Sequence, residues 1–359
     1  MLKVKVEKRS EKHPVLAFGI VILSLAAGLA AVSIVFLFKG VNPLLAIYEI
    51  FLGSFGSLYS IKETITKAIP LILIGSGLCL VFRARFWNIG AESQLLMGSV
   101  FSTWVGLNLG PQLPSYLVIP LMFFAGFLGG AIWAFFPAVL KVKFKVNEVV
   151  STLMLNYIAA EIVNYLIVGP WKGKTQFGFP YTDNLPESAV LPLIPGSRIH
   201  YITLIIAASG MVVLFFLLYF SKIGYEARVL GENREAARYG GISSLRVILT
   251  IMLISGGMAG LAGVGEVAGI HHHLTYPGDI SSGYGFSAII VAWLAKLNPL
   301  LVLVSGIFFA GILVGGDAIQ ISLKLPASTV YVFSGMILIF LIAGDYFLKY
   351  KISLQVGKK

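Results

Sequence analysis

Runs of eighteen or more residues with almost no charge recur along nearly the whole chain, and no other feature restricts its fold so sharply. About 20 apolar residues cross a bilayer as a helix, because inside hydrocarbon the backbone has to satisfy its own hydrogen bonds. The 359 residues are 57% hydrophobic and only 12% charged, with a mean hydropathy of +0.89, which excludes an ordinary soluble domain. The longest polar interval is about thirty residues, too short to fold separately. The chain therefore reads as an all-α integral membrane protein forming one transmembrane domain over residues 1–359.

Hydropathy and turn residues predict about ten spans, at roughly 14–38, 68–82, 91–109, 116–140, 148–169, 201–221, 246–270, 283–296, 299–316 and 327–347. The second and eighth are short. The basic start MLKVKVEKRSEKHP precedes an apolar run without a small-residue cleavage site, so that run is expected to stay as the first span. Placing both termini in the cytoplasm puts the Lys and Arg residues of 3–12, 83–85, 141–145, 222–246, 296 and 349–359 inside. Lys39, Lys62, Lys67, Lys172, Lys174, Arg198 and Lys324 remain outside, the asymmetry that the positive-inside rule requires. The net charge of +11 thus reflects membrane topology and not a nucleic-acid partner. Cys79, the one cysteine, lies in an apolar run, so disulfides and cysteine clusters are excluded.

The spans divide into a first repeat at 68–169, an external loop at 170–200, a cytoplasmic loop at 222–246 and a second repeat at 246–347. FWNIGAESQLLMGS opens the third span from the cytoplasmic side, and SSGYGFSAIIVAWLA opens the eighth from outside. Both are glycine-punctuated entries to small-residue helices. Their opposite directions fit an inverted repeat of spans two to five against seven to ten, and transporters set the substrate path between such repeats.

Residues 231–243, GENREAARYGGIS, are polar in a greasy chain. Asn233 can cap a helix whose first turn holds Arg234 and Glu235, Ala236 and Ala237 favour it, and Gly240 and Gly241 can end it. Two turns are marginal alone in water, so such a helix needs a surface to dock on. It is either an ordinary interfacial helix or a knob for a cytoplasmic motor. In the second case small residues allow close backbone approach, and Arg234, Glu235 and Arg238 form rim charge pairs.

An EAA followed by glycine, in a cytoplasmic loop between groups of spans, resembles the coupling helix of ABC-importer permeases. WNIGAESQLLMGS at 87–99 resembles the NIGxEGQ segment of permeases for nucleosides and simple sugars, and SSGYGFSAIIVAWLAKLNP at 281–299 resembles their GxGFxAIxVAxLG segment. FFAGILVGGDAIQ at 308–320, followed by Pro326, is similar to their later Phe-Gly, Gly-Gly and Gln pattern. Ser93 and Ala295 stand where that family usually has glycine. The resemblance covers nearly the whole chain, reaches the group that also includes branched-chain amino-acid permeases, and is nearest to nucleoside permeases linked to a lipoprotein binder. It implies a transport subunit and no enzyme, without a cofactor of its own. Two cytoplasmic ATPase subunits would carry ATP and Mg, a second permease would complete the pathway, and an extracellular substrate-binding lipoprotein would deliver the small molecule. The implied location is the cell membrane, among its lipids.

For a nucleoside, a pathway offers aromatic faces to the base and amides or hydroxyls to the ribose. The candidates are Phe86, Trp87, Asn88, Glu92 and Gln94 in the first half, and Tyr284, Phe286 and Ser287 in the second. Helix packing and interface anchoring are the plainer roles for these aromatics, and an ion pair with Arg83 or Arg85 is the plainer role for Glu92. Glu148 is expected to snorkel beside Lys145, whereas Glu161 and Glu266 lie deeper and are expected to tie helices together through neighbours such as Asn164 or Tyr165. GPWKGKT, Gly169 to Thr175, has one residue too few between its glycines for a phosphate loop. HHHLTYPGD at 271–279 offers three imidazoles, but adjacent residues cannot all face one ion from a helix, so a solvated external turn is expected and a metal site is not.

Overall fold

The computed structural model describes residues 2–8, 14–326 and 350–356, with parts of 329–344. It divides into two compact units, residues 1–61 with 311–359 and residues 62–310.

In the first unit, α1 (Pro14–Phe38) is the expected first span, and α2 (Pro43–Phe55) follows it after a bend. The Asn42 side chain accepts from Leu44 N and Pro43 sits at the first helical position, so the sequence starts α2 cleanly. The described part of α1 meets α2 at 115°. Hydropathy missed α2 because its 13 residues are too few for a span. It lies against the later half of α13 (Val302–Ser322), where the Ser54 hydroxyl donates to Gly311 O. Strands β1 (Leu2–Lys8) and β2 (Tyr350–Val356) pair antiparallel, with Leu2 opposite Val356 and Lys8 opposite Tyr350. The two ends of the chain therefore meet, and the helical class has this ribbon added to it. The tenth expected span, 327–347, lies largely outside the described residues.

The second unit holds α3 (Leu58–Arg83), α4 (Ala91–Asn108), α5 (Ser115–Phe144), α6 (Glu148–Val168), α7 (Tyr201–Phe220), α8 (Lys222–Glu232), α9 (Arg234–Tyr239) and α10 (Ser244–Gly265). A π-helical turn, Glu266–His271, prolongs α10, and α11 (Pro277–Ser281) and α12 (Tyr284–Leu294) lead to α13. Among the described residues six helices are long and apolar enough to cross a bilayer by themselves, and the bent α1–α2 pair makes a seventh. The second span is not short: α3 runs for 26 residues, ten residues earlier than hydropathy suggested, because the polar start LYSIKETITK is helical too. The eighth is short as expected, since α12 has 11 residues.

Glycines bring α4, α5 and α10 together. A methyl on Gly130 would strike Gly256 O, one on Gly260 would strike Gly126 O, and one on Gly98 would strike Gly260 itself. With glycine at 126 and 130 on α5 and at 256 and 260 on α10, backbones touch at a four-residue spacing, and dispersion replaces the hydrophobic drive that lipid cannot supply. Ser99 Oγ adds a bond to Gly263 O at 3.1 Å. Beside this core, α3 is buried at every residue from Ala68 to Phe82.

The loops sort into two sets. Arg83 reaches Tyr219 Oη and the carbonyls of Lys296 and Leu297 at 3.2–3.4 Å, and Arg246 holds Glu226 at 3.1 Å. At the other end Lys62 donates to Gly196 O at 3.1 Å, and Arg198 pairs with Glu63 at 3.4 Å. Segments expected on one face of the membrane thus contact one another, and the same holds for the opposite face.

Candidate functional site

The two glycine-punctuated segments meet. After Arg83 the chain leaves the helix, runs through Ala84–Gly90 without regular structure, and starts α4 at Ala91. The Glu92 carboxylate accepts from Gly285 N, in the first turn of α12, at 2.7 Å. The Ser281 hydroxyl and the N–H groups of Gly283 and Phe286 face the same carboxylate. Gly283, at φ +71°, precedes α12 without a side-chain cap, so Glu92 supplies from another helix the acceptor that the α12 N-terminus lacks. Gly285 is required here: a methyl would collide with the Glu92 backbone. Glu92 therefore does not pair with Arg83 or Arg85, because the non-helical segment carries it away from both. Since α12 ends beside Arg83 and spans about 16 Å, the junction lies well inside the bundle.

The loop before α4 is pinned from both sides. Asn88 and Gln94 exchange amide hydrogen bonds at 3.1 Å, and Asn88 Oδ1 accepts from Gly90 N. From α6, Thr152 Oγ1 accepts from Ile89 N, while Asn156 accepts from Ser93 N and donates to Ile89 O. Sequence reasoning missed Thr152 and Asn156, although two polar residues four apart in an apolar span are a usable signal.

The expected pathway residues differ in exposure. Phe86, Asn88 and Gln94 are fully buried and Tyr284 nearly so, and the Asn88 and Gln94 amides are the ones that bond within the junction. Trp87 and Phe286 are exposed, and Ser287 is half-buried. Trp87 stacks on Trp293 at 5.6 Å, and both rings lie within 6 Å of Phe82. Other acids are also relocated. Glu148 is buried and pairs with Lys141, because α6 begins facing the end of α5. Glu266 is buried in the π turn, whereas Glu161 is exposed on α6.

The 222–246 loop folds into two helices. As anticipated, Asn233 Oδ1 accepts from the N–H groups of Glu235 and Ala236, α9 covers Arg234–Tyr239, and Gly240 with Gly241 at φ +73° ends it. Arg234, Glu235, Ala236, Arg238, Gly240 and Gly241 are exposed. Ala237 is buried and anchors the helix to its own chain, so the outward surface belongs to the others. Tyr239, 93% exposed, joins that surface and was not foreseen. Nor was α8, capped by Ser221, whose Gly231 lies against Arg83 O so closely that no side chain fits.

At the other end, residues 182–191 run along the segment after α10. Thr182 N, Leu185 N and Leu191 N donate to Leu274 O, His272 O and Ala268 O. The three histidines consequently do not form a solvated turn: each is half-buried, and Tyr181 packs on His273 at 5.0 Å. Burial lowers the His273 pKa. Among the described residues no three His, Cys, Asp or Glu side chains converge as metal ligands. Residues 169–175 form turns, in which the Thr175 hydroxyl and N–H donate to Asp183 and hold its carboxyl below the usual range.

Apolar helices crossing more than once, with two of them starting inside the bundle and meeting end to end, make this a multi-pass membrane protein with the anatomy of a transporter. The chain belongs to the family described as branched-chain amino acid transport system / permease component, whose profile matches residues 60–342. It is 33% identical over 355 residues to the glucose ABC transporter permease protein TsgB13 of Haloferax volcanii, covering 96% of this chain and 92% of that one. The guanosine ABC transporter permease protein NupP of Bacillus subtilis is 32% identical, with 92% and 94% covered. The nucleoside ABC transporter permease protein NupB of Lactococcus lactis is 28% identical, with 89% of each chain covered.

Proposed function

We propose that the chain is the membrane-spanning subunit of an ATP-driven importer of nucleosides in the cell membrane. The observation that carries the ATP-driven reading is α9, a capped two-turn helix exposed on nearly every residue and held to its own chain through Ala237. Cytoplasmic ATPase subunits with bound ATP and Mg would grip Arg234, Glu235, Ala236, Arg238, Gly240 and Gly241. A second permease would face this one, and an external lipoprotein would deliver cargo. In this reading about ten spans form an inverted repeat with both termini in the cytoplasm. The relatives named for guanosine and nucleosides support a nucleoside cargo, as does the stacked Trp87–Trp293 pair, whose flat faces suit a base. The relative named for glucose, equally similar, supports a simple sugar as the second reading.

The test is the chain co-purified with its ATPase and binding protein and reconstituted in vesicles. Reversing charge at Arg234 and Glu235 together is expected to release the ATPase on size exclusion and to stop ATP-dependent uptake of labelled guanosine. Uptake by the permease alone, driven by an ion gradient and indifferent to removal of residues 236–241, would establish a secondary transporter instead. Uptake of glucose but not guanosine would select the sugar.

A further inference from the structure

His200 is 1% exposed, and neither of its ring nitrogens has a hydrogen-bond partner. A neutral imidazole offers one donor and one acceptor, so both go unmet, and the Thr203 hydroxyl three residues on is buried and unbonded as well. Buried polar groups are seldom left so, because each costs stability. The ring occupies a slot made by two glycines. A methyl on Gly265 would lie 3.1 Å from Cε1 of the ring, and one on Gly269 would lie 2.6 Å from Cδ2. Gly265 precedes the π turn Glu266–His271 and Gly269 lies within it, so the ring is wedged where α10 gives up its regular ladder. Such turns are frequent at working sites. The same stretch holds residues 182–191, a strap whose Leu191 N donates to Ala268 O at 2.9 Å and Leu185 N to His272 O at 2.8 Å, while Leu274 N donates to Thr182 Oγ1 at 2.9 Å. His200 also bridges to Leu193. Beyond His272, α11 ends at Ser281, whose hydroxyl faces the Glu92 carboxylate. One ring thus wedges the segment that joins the strap to the Glu92 junction.

We infer that His200 is a proton-binding latch: neutral, it keeps the π turn and the 182–191 strap closed, and an acidic exterior protonates the ring, drives it from the glycine slot and slows import. The charged ring cannot stay in place, because a buried cation without an acceptor is costly. Among the described residues no acceptor meets it. Arg198, paired with Glu63 of α3, disfavours a second positive charge beside it, and Glu266 and His271 on the π turn make no hydrogen bond to the ring. Lys67 of α3 and Arg198 act electrostatically on Glu266. Burial and Arg198 together bring the His200 pKa down to about 4. A ring of pKa about 4 in the slot and 6.5 outside it raises the open population about thirtyfold between about pH 7.5 and 5. The effect on import rests on the permease reading, in which this end faces outward; the latch itself does not.

The experiment follows amide hydrogen exchange of residues 182–191 and 266–274 in the full chain in vesicles, corrected for the pH dependence of intrinsic exchange. In the wild-type chain, protection at Leu185 and Leu191 is expected to fall about thirtyfold from about pH 7.5 to 5. His200→Gln, which fills the slot without a titrating group, is expected to abolish that fall, and His271→Gln and His273→Gln are expected to keep it. His200→Leu repeats the test should the glutamine variant fold poorly. Protection that does not change with pH in the wild-type chain overturns the inference. So does a fall that survives in His200→Gln or His200→Leu, or one that vanishes with His271→Gln or His273→Gln. In vesicles that also carry the ATPase and the binding protein, the same acidification is expected to slow guanosine uptake by the wild-type chain about threefold or more beyond its effect on His200→Gln. Equal slowing of the two overturns the effect on import. Exchange needs neither cargo nor motor, so a latch that opens in a chain importing nothing tells against the permease reading alone.

Discussion

A carboxylate that ends another helix is the tightest constraint in this molecule. Glu92 gives α12 the acceptor its own sequence omits, because Gly283 has no side chain to offer. Glu92→Ala is expected to lower stability by about 2 kcal/mol and Glu92→Gln by roughly half of that, measured as unfolding in detergent. The sequence showed that Glu92 was unusual but suggested the wrong partner, since Arg83 and Arg85 are near it in number and only the non-helical 84–90 segment separates them in space. His200 makes a second case. Its ring is buried against Gly265 and Gly269 with neither nitrogen hydrogen-bonded, and burial drops its pKa from 6.5 to about 4. The unfolded chain binds that proton first, so stability is full above pH 6.5 and falls as pH drops from there toward 4. The loss is about 3 kcal/mol over that window. A His200→Gln variant should flatten the dependence of the melting temperature on pH in this range.

Elements were legible where their caps and periods were local. Helix α9 could be read from Asn233 to Gly241 because each boundary is a short-range hydrogen bond or a glycine turn. Asn233→Ala should cost about 1 kcal/mol of that helix, and a fluorescent label at Tyr239 would report the fraying as lost anisotropy. Helices α2 and α8 were missed for the same reason: neither is long or apolar enough to register as a span, although Asn42 and Ser221 are ordinary caps. The glycine crossing of α5 and α10 had a visible spacing on each helix, yet nothing in the sequence says which glycines face each other. Gly130→Leu or Gly260→Leu should abolish folding, scored as loss of a monodisperse peak, whereas leucine at Gly178, where nothing lies within 4 Å, should be tolerated apart from the strain of its φ of +91°.

For the molecule as a whole, the long uncharged runs were the most dependable sequence signal, since six helices are long and apolar enough to cross a bilayer among the described residues. The alternation of basic loops placed Arg83 with Lys296 and Lys62 with Arg198; Arg83 does donate to Lys296 O, while Lys62 and Arg198 bond Gly196 O and Glu63. The candidate site was legible only as two segments. That WNIGAESQ and GYGFSA would touch followed from no local rule, because contact depends on how far each helix starts inside the bundle. Among the expected pathway residues Asn88 and Gln94 bond to each other while Trp87 and Phe286 are exposed, and the acid on α6, expected deeper, is exposed too. A sequence gives a helix its period but not the direction in which its odd polar face points when the whole helix is apolar.

The contact between Gly231 and the carbonyl of Arg83 joins two backbones with no side chain between them to yield. Arg83 in turn grips the carbonyl of Leu297, just past the end of α12, whose other end is held by Glu92 of α4. A tug on the short helices therefore has no slack to take up. It travels along stiff rods to the middle of the bundle, and lengthening the glycine at 231 by a single carbon would be enough to loosen the rigging.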